Sequence, residues 1–332
     1  MKNTKIAMAL AACISGVAIL STGVANAADV YISAAHSVSE ESTQQITMLA
    51  MQKKLNELSG GKIEMSIFPN GQMGGDRELT EGVQAGNLTI TTSSPAPQAN
   101  FVPSASIFDL PFAFPNIEEI DKSFKNPDFI KALNAEYEKT GLHLLGISNL
   151  GFRQTSCNFE INSLDDLKGF TIRTMENKNH IEMWRMLGAN PTPIAMNELY
   201  TALQQGTCDG EENSYEIIYT SKLYEQQKYI NETNHIPHCL TWIMNKAAYD
   251  ALSPDQKKMI DEAASYAIAE GEQYIRSKDK EYMDKMTAAG ITIHKLAPED
   301  LAKFKEKVSA MYPVIKAQVA PEVYEAYTKN IK

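Results

Sequence analysis

The stretch from Pro254 to Ala289 most limits what this chain can become. It has no proline after Pro254 and one glycine, Gly271. Ser253 offers a side-chain cap, and Pro254 suits the first helical position, where an N–H would have no partner anyway. Read as one helix at 1.5 Å per residue, it is ~50 Å long, more than one compact domain needs. Such a helix straps two lobes together. The length of 332 residues agrees, because single hydrophobic cores stop growing near ~250–300 residues.

The rest of the mature chain alternates between strand and helix patterns. Val30 to Ala35 reads as a strand ending at His36. Ser39 is positioned to cap a helix with Glu40 and Glu41 in its first turn, stopped at Ser59-Gly60-Gly61. Ile63, Met65 and Ile67 alternate with polar residues as in a strand. Asp76 starts a short helix that ends before Gly86, and Leu88 to Thr92 is the next strand. A Ser/Pro loop, Ser93 to Pro103, precedes a helical region from Ile117 to Lys139 interrupted near Pro127. Leu142 to Ser148 is apolar enough for a buried strand. This β-α-β-α-β-α-β order predicts an α/β fold on a mainly parallel sheet.

The second half repeats the logic. Gly151 to Ser156 reads as a strand, Ser163 to Asp166 as a capped single turn, and Phe170 to Met175 as a strand. His180 to Leu187 is a helix closed by Gly188, Thr192 to Ala195 a strand, and Asn197 the cap of a helix stopped by Gly206. Thr207-Cys208-Asp209 is a short strand leading into Glu211-Glu212-Asn213. Tyr229 to His238 and Leu240 to Met244 are extended, Ile291 to Lys295 is a last strand, and Glu299 to Val319 is a helical tail.

The N-terminus reads as a processing signal: Lys2 and Lys5, an apolar run from Ile6 to Leu20, and an Ala25-Asn26-Ala27 cleavage site. This predicts export, with a mature chain from Ala28. Leu10-Ala11-Ala12-Cys13 also matches the pattern before a lipid-modified cysteine, but the apolar residues run on past Cys13. Soluble periplasmic export is therefore favoured over a lipid anchor at Cys13. No later stretch reaches the ~20 apolar residues of a membrane helix. Cleavage leaves Cys157, Cys208 and Cys239, an odd number, so at most one pair forms; small buried apolar residues is the expected role. A net charge of −10 without a Lys/Arg block argues against nucleic acid or an anionic membrane surface as partner, but leaves room for a locally positive cleft.

Gly151 to Ser214 carries the candidate chemistry. Arg153 and Arg173 lie at opposite ends of a strand–turn–strand unit among short polar residues, and the Glu211-Glu212-Asn213 cluster returns at its end. Ligand crevices in α/β sheets lie beyond the carboxyl ends of strands, where an arginine meets a carboxylate bidentately. From spacing alone, the two arginines read equally as carboxylate ligands or as structural arginines paired with a nearby acid. His235-x-x-His238 has a metal-like look, but residues three apart in an extended segment point to opposite faces, so unrelated side chains is the favoured reading. The same divergence argues against Glu211-Glu212 as an acid–base pair, with a solvated or structural role for at least one. No metal or cofactor is expected.

IFPNGQMGGDREL, DLPFAF, GFRQTS, DLKGFTIR and TPIAMNELYTALQQGTCDGEEN occur in that order. Together they resemble the solute-binding component of tripartite ATP-independent periplasmic (TRAP) transporters, the DctP family, over nearly all of the mature chain. The resemblance implies a two-lobed periplasmic-binding-protein (Venus flytrap) fold with a hinge and the long lobe-spanning helix. The expected lobes are residues 28–150 plus 239–278 and 151–238 plus 279–332. It further implies a small-molecule carboxylate ligand, delivery to a membrane permease driven by an ion gradient, no catalysis, and a monomer. Arg173 matches the arginine that pairs with the ligand carboxylate, Arg153 a second that assists, and Asn213 a ligand-bonding asparagine. Asp76 matches a cleft-facing aspartate, and His36 and Ser94 sit at strand ends that make ligand-specific contacts. Three positions depart from the sialic-acid-binding members: Met196 replaces an aromatic residue, Glu176 a short amide, and Ser94 an acid. Facing the ligand, Glu176 would accept from hydroxyls and repel a second carboxylate, which favours a hydroxylated sugar acid over a C4-dicarboxylate; turned to solvent, it would say nothing. The alternatives are a binding protein that serves a receptor and, remotely, a serine acyl-enzyme. For the latter, Ser59-x-x-Lys62, Tyr229-x-Asn231 and Lys139-Thr140-Gly141 match fragments of a signature in the wrong order.

Overall fold

The computed structural model describes residues 29–329 and Ile331. The expected export signal and Cys13 lie outside the described residues. β1 (Val30–Ala35) leads into α1 (Thr43–Ser59). The cap of α1 is Ser42, whose hydroxyl accepts from the Gln45 amide, and not Ser39. The reason is local: the Ser42 amide bonds the Ser39 carbonyl, closing a separate turn before the helix begins. β2 (Ile63–Phe68), α2 (Asp76–Ala85), β3 (Ile90–Ser93) and α3 (Pro95–Gln98) follow. α4 (Ile117–Phe124) and α5 (Pro127–Glu138) are split where expected, with Asn126 as cap and Pro127 in the first position of α5. β4 (Leu142–Phe152) is followed after one residue by β5 (Gln154–Cys157).

A capped turn at Leu164–Leu167, with Ser163 and Asp166 as its capping box, precedes β6 (Thr171–Thr174). α6 (Lys178–Leu187), β7 (Asn190–Pro193), α7 (Leu199–Gln204) and β8 (Glu211–Asn213) complete this region. Two expectations are corrected here. Asn197 does not cap a helix but lies inside a tight 3₁₀ turn, Met196–Glu198. Thr207-Cys208-Asp209 is not a strand; the acidic-amide cluster itself is, because Gln154–Ser156 of β5 pairs with Glu211–Asn213. α8 (Tyr215–Thr220), β9 (Tyr229–Asn231), β10 (Pro237–Asn245) and α9 (Lys246–Asp250) lead into α10 (Pro254–Ala288). α10 is one unbroken helix of 35 residues with Ser253 as its cap. β11 (Thr292–His294) follows, and the tail divides into α11 (Pro298–Val308), α12 (Met311–Lys316) and α13 (Pro321–Thr328).

The strands form a five-stranded sheet, β2-β1-β3-β10-β4, a four-stranded sheet, β11-β9-β5-β8, and the pair β6-β7. The first sheet is mixed rather than mainly parallel. β1 pairs in parallel with β2 and β3, but β10 returns antiparallel between β3 and β4. The chain thus passes between the two larger sheets at Arg153 and again over residues 232–236. α10 lies along α1 and β4 and reaches α8. Its only glycine sits where α1 crosses: a Cβ on Gly271 would lie 2.3 Å from Thr47 Cγ2. The DLPFAF segment builds core, since Phe114 and nearby Phe108 pack edge-on against Tyr327 of α13. Cys157, Cys208 and Cys239 are all buried and unbridged.

A buried acid joins α8 to α1. Glu216 Oε1 accepts the Thr43 amide at 2.7 Å. Burial lifts Glu216 to about 7 against that hydrogen bond, with the Asp279 charge adding to the rise. Burial likewise lifts Asp279 to about 7. The folded chain then binds more protons than the unfolded chain between ~4.5 and ~7, so these groups make stability fall as pH rises through that window. The melting temperature is expected to fall from pH 5 to 7.5, and Glu216→Gln to flatten that fall. A pH dependence identical in wild type and Glu216→Gln would refute the assignment.

Candidate ligand-binding site

The main cavity lies where β1, β3, β10, the β4–β5 junction, β6 and β8 come together. About 470 Å³ of open space lies between these elements, part of it continuous with solvent. Arg173, Arg153, Asn213, Glu176, Asp76, Ser94 and Met196 all line it. His36 does not. Its ring is fully buried, with Nε2 2.8 Å from Gln45 Oε1 on α1. The expectation of a ligand contact at His36 is therefore corrected: the ring is turned onto the helix, and the next residues, Ser37 and Val38, reach the cavity.

Arg153 lies at the junction between the two larger sheets and Arg173 in the β6–β7 pair, not at the ends of one strand–turn–strand unit, and their surroundings differ sharply. Arg153 occupies the single residue between β4 and β5, its amide bonded to the Ile236 carbonyl. Its Nε donates to Glu212 Oε2 at 2.5 Å and its Nη2 to Glu212 Oε1 at 3.0 Å. Nη2 also donates to the Glu212 backbone carbonyl. Its Nη1 faces His238 Nδ1 at 3.0 Å. His235 Nε2 meets Glu212 Oε2 at 3.0 Å from the other side. Burial alone would raise the Glu212 carboxyl, but the Arg153 charge and the bonds from His235 and Arg153 outweigh it, and the net shift is strongly downward. The two histidines thus converge on one ion pair instead of being unrelated. They do so because residues 232–236 are irregular, and regular alternation starts only with β10.

Arg173 stands in β6, whose parallel pairing with β7 sets it opposite Thr192. Its amide donates to the Gly210 carbonyl at 2.8 Å and its Nε to the Ile194 carbonyl at 2.7 Å. The side chain is 2% exposed, yet Nη1 has no partner among the described residues. Burial pushes its pKa down, while the Glu212 and Glu211 charges push it back up. A buried guanidinium with an unused edge is costly unless something bonds it.

The remaining walls are polar. Asp76, the first residue of α2, accepts from Ser37 Oγ at 2.5 Å and from the Ser94 amide at 3.3 Å. Burial raises its pKa despite those bonds. Glu176 is half-buried just beyond β6; burial raises it, and Glu78 adds to the rise. Asn213 donates from Nδ2 to Glu211 Oε2 at 3.0 Å, and Ser156 Oγ donates to Glu211 Oε1 at 2.6 Å. Neither Glu211 nor Glu212 is solvated: both are fully buried parts of the frame behind the cavity. A smaller chamber adjoins, bounded by Arg153, Met175, Asp109 and His180. There Asp109 faces His180 Nε2 at 3.0 Å and accepts from Asn177 and Asn179.

Sequence reading missed Gln44, Ile217, Leu240 and His238 as lining residues. Only His238 carried a signal, its spacing from His235, and that signal pointed to the wrong chemistry. Ser59, the candidate nucleophile of the acyl-enzyme reading, is spent at the end of α1, where its Oγ accepts the Ile63 amide at 3.0 Å. Among the described residues no helix is long and apolar enough to cross a membrane.

The family model for bacterial extracellular solute-binding proteins, family 7 (DctP), matches residues 34–318. A solute-binding protein of Verminephrobacter eiseniae is 32% identical over 89% of this chain and 87% of its own. The structure superposes on the sugar acid binding protein of Advenella mimigardefordensis in complex with galactonate with a TM-score of 0.87, at 30% identity, covering 92% of this chain and 99% of that one. A TRAP periplasmic solute-binding protein of Shewanella oneidensis with bound succinate gives a TM-score of 0.86 at 25% identity, over 92% and 100% of the two chains. These neighbours share the two-lobed α/β architecture with its long helix.

Proposed function

Because the chain belongs to family 7 of the bacterial extracellular solute-binding proteins, the receptors of TRAP transporters that bind small organic acids, we propose that its ligand is a hydroxylated monocarboxylate of the sugar-acid type, handed to a TRAP permease. One observation carries this reading: the buried Arg173 guanidinium has an unpartnered Nη1 in a cavity whose other walls bear Asp76 and Glu176. The arginine suits one carboxylate. The two acids suit hydroxyls, and a second carboxylate beside them would meet like charge. The galactonate complex of the Advenella relative supports the choice. The succinate complex of the Shewanella relative is the observation that favours a C4-dicarboxylate instead.

In this reading Arg173 anchors the carboxylate, Arg153 assists, and Asn213, Asp76, Ser94, Glu176 and Met196 shape the rest. The lobes are residues 28–150 plus 239–278 and residues 151–238 plus 279–332, with α13 reaching back onto α4 and α5 as a strap. Contacts from both lobes favour a closed state, so ligand shifts that equilibrium. The test is a thermal-shift screen followed by calorimetry with aldonates and uronates against succinate and butyrate. Aldonates or uronates are expected to raise the melting temperature by several degrees and succinate to do less. Tightest binding by succinate would replace this reading with the dicarboxylate one. Glu176→Ala is expected to weaken a hydroxylated acid about tenfold and its deoxy analogue less than about twofold, one charged hydrogen bond being worth ~1.5–3 kcal/mol. Equal losses would remove Glu176 from the ligand.

A further inference from the structure

We propose that His238 is a ligand-binding residue, a neutral hydrogen-bond donor whose Nε2–H takes a hydroxyl or carbonyl oxygen of the ligand beyond the carboxylate held by Arg173. The proposal rests on the reading of this cavity as an organic-acid site and deepens it.

Along β10, His238 and Leu240 face the main cavity, while Pro237 and Cys239 face the smaller chamber, as alternation requires. The ring nitrogen at 3.0 Å from Arg153 Nη1 is Nδ1. A guanidinium only donates, so Nδ1 must accept and the ring proton sits on Nε2. A second proton on the ring is opposed by burial and by the Arg153 charge, which together bring the imidazole down to about 3. The ring is therefore neutral throughout the ordinary pH range.

His238 is 4% exposed, and its Nε2 has no hydrogen-bond partner among the described residues. A buried N–H left unbonded carries a desolvation cost that a suitable acceptor removes. The side chain stands in a cavity wall, so the ligand is the natural source of that acceptor. The arrangement also explains how Arg153 assists. Its fork is committed to Glu212, and it reaches the ligand through the imidazole. Donation into Nδ1 polarises the ring and makes Nε2–H a stronger donor. Such a donor selects for oxygen acceptors and against ligands that offer an ammonium there.

The test compares His238→Phe and His238→Gln with wild type, by calorimetry over the same acid panel. A glutamine amide reaches about where Nε2 sits and restores a neutral donor. His238→Phe is expected to weaken aldonates ~10- to 30-fold and butyrate less than about threefold, with His238→Gln within about fivefold of wild type. Nitrogen-15 NMR of histidine-labelled wild-type protein is expected to show His238 protonated on Nε2 only from pH 5 to 8, with that signal moving on ligand binding. A wild type that prefers succinate to aldonates overturns the sugar-acid reading but not this one, which then predicts the same His238→Phe loss for succinate. Unchanged His238→Phe affinity for every acid the wild type binds, or equal losses for butyrate and the oxygen-bearing acids, overturns the role of His238. So does a proton on Nδ1, titration of His238 between pH 5 and 8, or a wild type that binds none of the panel and shows no Nε2–H tautomer. Should His238→Phe fail to fold, His238→Gln and the tautomer decide: loss of binding by His238→Gln with an Nδ1 proton in wild type is the refuting pair.

Discussion

Arg173→Ala is expected to weaken the physiological acid by about 10²–10⁴-fold while leaving the melting temperature of the ligand-free protein nearly unchanged. The size follows from two charge-assisted hydrogen bonds at ~1.5–3 kcal/mol each, with ~1.4 kcal/mol per decade of affinity. The small stability effect follows from opposing terms. Arg173 is buried with an unused Nη1, so its removal relieves a desolvation cost. It also leaves the Ile194 carbonyl without its donor and takes a positive charge from near Glu211 and Glu212. Arg173→Lys keeps the charge but loses the planar fork, and is expected to recover only part of the affinity. Calorimetry showing undiminished affinity in Arg173→Ala would remove the anchor on which the ligand assignment stands.

Arg153 should behave in the opposite way. Arg153→Ala is expected to cost about 3–5 kcal/mol of folding stability, because it strands the fully buried Glu212 carboxylate. At ~2–4 °C per kcal/mol for a chain of ~150–250 residues, the melting temperature drops by about 6 °C or more. Binding is expected to weaken as well, through loss of the partner that sets the His238 tautomer. Arg153→Met combined with Glu212→Met is expected to recover much of the stability but not the binding. The pH dependence follows from the depressed Glu212 carboxyl. Its contribution is fully present above the unfolded value of ~4.3 and is lost as pH falls through the lower folded value. Wild type should therefore lose stability steeply on acidification below about pH 4, and Glu212→Gln less so. Differential scanning calorimetry in which Arg153→Ala melts within about 2 °C of wild type would show that the pair does not stabilise the fold.

Much of the fold was legible because local signals were strong. Ser253-Pro254 and a long run without helix breakers specified α10, and Pro127 specified the break between α4 and α5. Errors fell where a local signal had two uses. Ser39 and Ser42 are both capping residues; the turn between them decides which one caps. Glu211-Glu212-Asn213 lacks strand propensity, and only pairing with β5 makes it a strand. The mixed first sheet was hidden because β10 arrives from about 85 residues beyond β4, and no local pattern encodes that insertion.

The candidate site divides along the same line. The motifs named Arg173, Arg153, Asn213, Asp76, Glu176, Ser94 and Met196, and all seven stand around one cavity. By itself the sequence determined which residue types are available and where several helices begin and end, and its motifs pointed to the solute-receptor family to which the chain belongs. Only the tertiary structure decided that Arg153 is spent on Glu212 and Arg173 is not, that His36 turns away, and that His238 turns in. The physical reason is that a side chain's role depends on which partners its hydrogen bonds have already claimed. Those partners come from strands 59 and 85 positions away along the chain, beyond the reach of any local pattern.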